Sequence, residues 1–197
     1  MQPSHSSHIS IESGFFIQLA IALMLLPANW VVAWFFAAAV HELCHYLALC
    51  LCDVRVYAMR ISLSGASIET EPMRLKHELI SSLAGPFGGI CLISLVHIYP
   101  EVAISALMQS VFNLLPIYPF DGWRALTALL CYFFKTETAN KIRTIIQISF
   151  FTLLLLLSVL AWKFLNLGLL PVGISLLMLI RSFLIKTPCK PTKQIVQ

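Results

Sequence analysis

Two histidines and a glutamate lie in the middle of an apolar stretch of the chain, FFAAAVHELCHYLALCLC at residues 35–52. On an α-helix, residues four apart lie about 40° apart around the axis, so His41 and His45 project together and can bind one metal ion. Glu42 then points about 80° away from their midpoint. This is the pattern H-E-x-x-H, in which the histidines bind zinc and the glutamate acts as general base toward water. The sequence therefore predicts a zinc site on a helix.

The apolar surroundings strengthen this interpretation. A helix inside a bilayer loses several kcal/mol for each unpaired ionisable group, so such groups persist there chiefly for function. The structural alternative is a polar cluster in which His41, Glu42 and His45 satisfy each other by hydrogen bonds.

A catalytic zinc ion needs a third protein ligand, and Asp121 is the candidate carboxylate. It lies in VFNLLPIYPFDGWRAL, residues 111–126. Pro116 and Pro119 are expected to end or unwind the helix before it, and Gly122 is expected to permit a sharp turn. Irregular backbone inside a membrane is tolerated only against protein or a wet cavity, where a metal site would also be. The alternative is that Asp121 is a solvated acid at a helix end.

The composition places these residues in a membrane protein. Hydrophobic residues make up 59% of the 197 residues and charged residues 11%, which is less than half of the roughly 25% usual in soluble domains. The predicted fold class is an all-α polytopic membrane protein with about six transmembrane helices. The apolar runs that predict them lie at about 14–28, 30–51, 79–98, 102–117, 144–162 and 167–185.

The distribution of basic residues predicts the orientation. With both termini in the cytoplasm, only Lys163 lies on the outer side, as the positive-inside rule requires. In this topology spans two and four both run inward, so His41, His45 and Asp121 reach a similar depth. The net charge of +4 is then a topology signal that also suits anionic lipid headgroups, and nothing indicates nucleic acid. The basic residues on the cytoplasmic side are Arg55, Arg60, Arg74, Lys76, Arg124, Lys135, Lys141, Arg143, Arg181, Lys186, Lys190 and Lys193.

The chain is expected to form one membrane domain over residues 1–185, followed by a short cytoplasmic tail over residues 186–197. Between spans two and three, RISLSGASIE at residues 60–69 predicts a short β-hairpin around Gly65. An exposed edge of such a hairpin could bind an unwound substrate as an added strand, and the alternative is a plain connecting loop.

Three ordered motifs, HELCH, SSLAGPFGG at residues 81–89 and NLLPIYPFDG at residues 113–122, resemble the site-2 protease family of intramembrane zinc metalloproteases. The resemblance is closest to the bacterial sporulation branch, which processes a membrane-bound sigma factor. It implies His41, His45 and Asp121 as zinc ligands, Glu42 as catalytic acid and base, and Asn113 as a polar group that positions the substrate or steadies the oxyanion. The implied partner is a membrane-protein substrate with a transmembrane segment, cut near the cytoplasmic side of the bilayer, in a bacterial cell membrane.

The sequence departs from that branch at Trp123, where a second glycine usually follows the aspartate. A side chain of this size would narrow a substrate path. Two other functions remain open. A catalytically inactive relative that only binds membrane proteins is expected to have lost Glu42, and a metal transporter is expected to carry ionisable residues across several spans.

Overall fold

The computed structural model describes residues 8–62, 65–165, 172–173, 175–177 and 180. The chain divides into two compact units, Met1–Leu114 and Leu115–Gln197. The elements of the first unit are β1 (His8–Ile11), α1 (Ser13–Leu25), α2 (Ala28–Leu51), β2 (Val56–Ser62), β3 (Gly65–Thr70), α3 (Leu75–Leu92), a 3-10 helix (Ile93–His97) and α4 (Pro100–Asn113). The second unit contains α5 (Asp121–Phe133) and α6 (Thr136–Leu165).

The protein is mostly helical, and within its described residues three helical segments are long and apolar enough to cross a membrane: Ala28–Leu51, Leu75–Leu95 and Thr136–Phe164. It is a multi-pass membrane protein. The first predicted span corresponds to α1, an apolar helix of 13 residues, and the fourth to α4, which has 14. Both are shorter than the roughly 20 residues that cross a bilayer. The sixth predicted span, at 167–185, and the predicted tail at 186–197 lie largely or wholly outside the described residues.

Helix α2 carries a buried stripe of small residues that leads to the histidines. Ala33, Ala37, His41 and His45 follow one another at intervals of four, and each is at most 6% exposed. Residues at this spacing share one face of a helix. Alanines let neighbouring helices approach closely, as small residues commonly do in membranes. The histidines therefore face the interior of the first unit.

Helix α3 packs against α2 through glycines. A methyl group added at Gly88 would collide with Cys44 Sγ of α2, and one at Gly89 would collide with Ser110 Oγ of α4. Ser110 is tied to its own helix by donating a hydrogen bond to the Ala106 carbonyl, 2.7 Å away. The absence of side chains on this face of α3 thus sets how closely the three helices approach.

A small sheet of strand order β1-β2-β3 lies in the first unit. The antiparallel pairing of β2 with β3 confirms the predicted hairpin, with Arg60 opposite Ser67 and Ser62 opposite Gly65. β1, a strand that the polar N-terminal sequence does not predict, pairs with β2 in parallel. Parallel strands need a crossover connection, which the pair of helices α1 and α2 supplies.

The second unit begins with an irregular segment and continues as a helical hairpin. The residues between the fourth and fifth predicted spans are mostly helical, because α5 occupies residues 121–133 and α6 begins at Thr136. Gly122 forms no sharp turn: it is buried in the first turn of α5. The sequence does not predict α5, because a helix with one apolar face is too short and too polar to be recognised as a span. α5 packs on α6 through a hydrophobic cluster, referred to below as the hairpin cluster, of Leu126, Leu130, Cys131, Ala139 and Ile142.

Candidate metal centre

The Nε2 atoms of the two histidines of α2 face each other. The Nε2 atoms of His41 and His45 lie 3.0 Å apart, and the two rings stand nearly edge to face with an interplanar angle of 79°. The residues are 4% and 6% exposed. The structure thus brings the predicted pair together in a buried place, one helical turn apart.

The backbone of α3 sets the tautomer of His45. Its Nδ1 lies 2.6 Å from the Ser81 carbonyl oxygen. A carbonyl can only accept, so Nδ1 carries the proton and donates it, and Nε2 of the neutral ring keeps a lone pair. Such a bond from the far ring nitrogen is the usual way in which proteins orient a metal-binding histidine.

The amide of Asn113, at the end of α4, contacts His41. Asn113 Nδ2 lies 3.3 Å from His41 Nε2, and an amide nitrogen can only donate. His41 Nε2 therefore also presents a lone pair. Asn113 was predicted to contact substrate, and within the first unit it contacts a predicted zinc ligand.

This arrangement fits a zinc ion. Two imidazole lone pairs that face each other at 3.0 Å are stabilised by a cation between them, either a shared proton or a metal ion. With zinc–nitrogen bonds of about 2.05 Å and tetrahedral angles, two ligand nitrogens stand about 3.3 Å apart, close to the observed separation. The nitrogen donors are also of the type that zinc prefers.

Gly85 keeps the space beside the histidines open. A Cβ atom at this position would lie 2.6 Å from His45 Cε1 and 2.7 Å from His41 Nε2, and it would collide with His45 Nε2. Real Cβ atoms essentially never come so close to other atoms. Glycine is therefore required at this turn of α3 for both imidazoles to keep their positions.

Glu42 lies on the same turn of α2 as His41 and is half-buried. Its position on the helix is the one that H-E-x-x-H gives to a general base, and its catalytic role stays a prediction.

Asp121 belongs to the second unit and is the first residue of α5. Its side chain is 13% exposed, and its Oδ1 lies 3.8 Å from Nη1 of Arg124. A carboxylate in the first turn is favoured there by the partial positive charge of a helix N-terminus. Asp121 thus lies at the start of a helix with most of its side chain buried.

The Trp123 side chain is buried in the second unit, at 5% exposure, with the Arg143 guanidinium carbon 4.9 Å from the centre of its ring. Arg143, one of the basic residues expected on the cytoplasmic side, lies inside α6 and is buried.

Sequence reasoning missed the supporting residues Ser81 and Gly85. The motif SSLAGPFGG contains both, but its glycines indicate close helix packing equally well. No sequence signal indicates which carbonyl of α3 would meet His45.

No protein-family model and no curated protein matches the chain. Among solved structures, the site-2 protease from Methanocaldococcus jannaschii is similar, with a TM-score of 0.63 and 19% sequence identity. The match covers 95% of this chain and 96% of that one. The chain therefore has the fold of that protein.

Proposed function

We propose that the protein is a zinc-dependent intramembrane endopeptidase that hydrolyses a peptide bond in or near a transmembrane segment of another membrane protein. The observation that carries the proposal is the pair of buried imidazole nitrogens, 3.0 Å apart, with His45 oriented by the Ser81 carbonyl. The fold is shared with a protein named as a protease, which supports peptide hydrolysis over other zinc chemistry.

His41, His45 and Asp121 are the proposed zinc ligands. They supply two imidazoles and one carboxylate, which are donor groups that zinc takes in proteins. A site with three protein ligands leaves one coordination position open, as catalytic zinc sites do. When bound, zinc supplies a Lewis acid and lowers the pKa of water toward neutrality. The ion also compensates the charge of the carboxylates, which makes ionisable residues tolerable inside an apolar helix.

Glu42 and Asn113 carry the remaining steps of the proposed mechanism. Glu42 accepts a proton from the attacking water and delivers it to the leaving amine as the peptide bond breaks. The Asn113 amide, which lies beside His41, donates a hydrogen bond to the oxygen that becomes negatively charged on the scissile carbonyl. Glu42 must be ionised at the start of the reaction in order to accept this proton. The Asn113 amide stays neutral throughout.

The substrate class follows from where such a site would lie. With both termini in the cytoplasm, residues 41–45 fall in the cytoplasmic half of α2, so the cut would release a cytoplasmic domain or clear a remnant. A helical peptide bond is shielded by its own hydrogen bonds and must be unwound first. β3 lies at an edge of the sheet, where an unwound segment could pair as an additional strand. A bacterial membrane and a relationship to the sporulation branch follow from the motif resemblance alone.

The first test is metal content, because it needs no known substrate. Wild type purified in detergent is expected to contain about one zinc per polypeptide, and His45→Ala and Asp121→Ala are expected to lose it. Equal zinc in wild type and Asp121→Ala would place the third ligand elsewhere.

The second test is proteolysis. Membrane fractions from bacterial cells that express wild type or Glu42→Gln are compared for new protein N-termini by mass spectrometry. Cleavage sites near transmembrane segments are expected with wild type only. A protein that binds zinc but produces no such sites would instead be a membrane-protein-binding relative.

A further inference from the structure

Arg143 is an unusual residue for its place in the fold. Among the residues that the structure describes, it is the only Lys, Arg, Asp or Glu that is buried, at 8% exposure. It lies in the polar first part of α6, TETANKIRT at residues 136–144, which precedes the apolar stretch of this candidate span. Removing a guanidinium from water is unfavourable unless its neighbours compensate, so a buried arginine indicates a specific interaction.

The Arg143 guanidinium lies over the indole of Trp123. The distance of 4.9 Å to the ring centre is within the range of about 6 Å for a cation–π interaction. Tryptophan is the best aromatic partner for a cation, and the planar guanidinium stacks on such a ring as a lysine ammonium cannot. The interaction is strengthened because the ring is also buried.

The Trp123–Arg143 contact and the hairpin cluster connect α5 and α6 at different places. The hairpin cluster holds the two helices together near the connecting loop, at Leu130 and Ala139. The Trp123–Arg143 contact lies toward the other end, in the first turn of α5, which also carries Asp121. The segment before that turn is irregular, with Pro116 and Pro119, so it gives the turn little regular support.

A small movement of this turn would displace the Asp121 carboxylate by a chemically large distance. Side-chain atoms lie about 5–6 Å from a helix axis, so a rotation of about 10° moves them by about 1 Å. Metal–ligand distances tolerate only about 0.2 Å. A contact that prevents such rotation therefore controls how well the carboxylate binds.

We infer that Arg143 and Trp123 are positioning residues for Asp121: their stacking fixes the first turn of α5 and thereby the carboxylate that binds the metal. The inference rests on the proposed function, in which Asp121 is a zinc ligand. It also explains a tryptophan at a position where a glycine was expected, because the ring is needed as the surface on which Arg143 stacks.

The test measures zinc dissociation constants and thermal unfolding of the full chain in detergent. Arg143→Met and Trp123→Leu are each expected to weaken zinc binding about 10-fold, as the loss of supporting partners around a metal site does. Because both remove one interaction, the double variant is expected to be no weaker than the single variants. Trp123→Phe keeps an aromatic face and is expected to recover most of the affinity, whereas Arg143→Lys keeps the charge but not the planar group and is expected to recover less.

Leu130→Ala is the matched control, because it weakens the same hairpin from within the hairpin cluster. It is expected to lower the unfolding temperature and to leave the zinc affinity unchanged. Cobalt substitution gives a second readout: the visible absorption of four-coordinate Co²⁺ is expected to weaken in Arg143→Met and to stay unchanged in Leu130→Ala.

Wild-type zinc affinity in folded Arg143→Met and Trp123→Leu would overturn the inference while leaving the zinc site intact. Equal losses of affinity in Leu130→Ala and Arg143→Met would also overturn it, because hairpin stability alone would then explain the effect. A wild-type protein that binds no zinc would refute the proposed function itself, and the inference with it. If Arg143→Met does not fold, Trp123→Leu decides between these outcomes.

Discussion

Replacing Gly85 with alanine is expected to abolish tight zinc binding while leaving the protein folded. The added Cβ would lie 2.6 Å from His45 Cε1 and 2.7 Å from His41 Nε2. Carbon atoms in contact settle about 3.5 Å apart or more, so each imidazole must retreat by about 1 Å. That displacement is about five times the tolerance of a zinc–nitrogen distance. We expect zinc binding to weaken by about 100-fold or more, the upper end of what supporting partners of a metal site contribute.

The effect on stability is expected to be smaller. Overpacking in a filled interior costs about 1–3 kcal/mol. Alanine within a helix recovers about 0.5–1 kcal/mol relative to glycine, so the net loss is about 0–2.5 kcal/mol. Folded protein without tight zinc binding is therefore the expected state of Gly85→Ala.

The assay titrates metal-free protein in detergent with zinc against a competing chelator, with circular dichroism to monitor folding. Gly88→Ala is the matched control, because its methyl group collides with Cys44 Sγ of α2, about one turn farther along α3 from the histidines. It is expected to lose similar stability and to keep its zinc. If folded Gly85→Ala bound zinc with wild-type affinity, zinc binding would not depend on the missing side chain at this position of α3. That result would refute the reasoning.

Three further predictions concern the proposed chemistry. Glu42→Gln is expected to keep about one zinc per polypeptide and to lose at least about 100-fold in cleavage rate, the usual contribution of a general base; full activity would remove that role. Asn113→Ala is expected to lower kcat by about 100-fold on a substrate found by the N-terminal survey, with zinc still bound, as the loss of one oxyanion donor does; an unchanged kcat would restrict Asn113 to its contact with His41. Chelation is expected to lower the unfolding temperature of wild type but not of His45→Ala, since zinc at about 1,000 times its dissociation constant stabilises by about 4 kcal/mol. Equal shifts in both proteins would mean that the chelator acts elsewhere.

The sequence predicts the parts of this structure that depend on local spacing. His41 and His45 meet because four residues make about one helical turn, and the hairpin at Gly65 follows from alternating residues around a turn. β1 was missed because its pairing with β2 depends on residues about 50 positions away, and four residues give no periodic signal. α5 was missed because its buried face is satisfied by α6, so its residues follow neither the pattern of a span nor that of a loop. The burial of Arg143 depends on the same tertiary packing.

The metal centre also shows why a search for ligands alone finds only part of such a site. The two imidazoles can approach within 3.0 Å because α3 presents backbone, and no side chain, at Gly85. The same stretch of α3 supplies the Ser81 carbonyl that orients His45, one turn before that glycine. Glycine lowers the stability of a helix by about 0.8–1.0 kcal/mol relative to alanine, and this stretch contains it at three positions. At Gly88 and Gly89 closer helix packing offsets that loss, whereas at Gly85 the neighbours are the histidines themselves. The glycine at position 85 is therefore best explained by the space that the two imidazoles need.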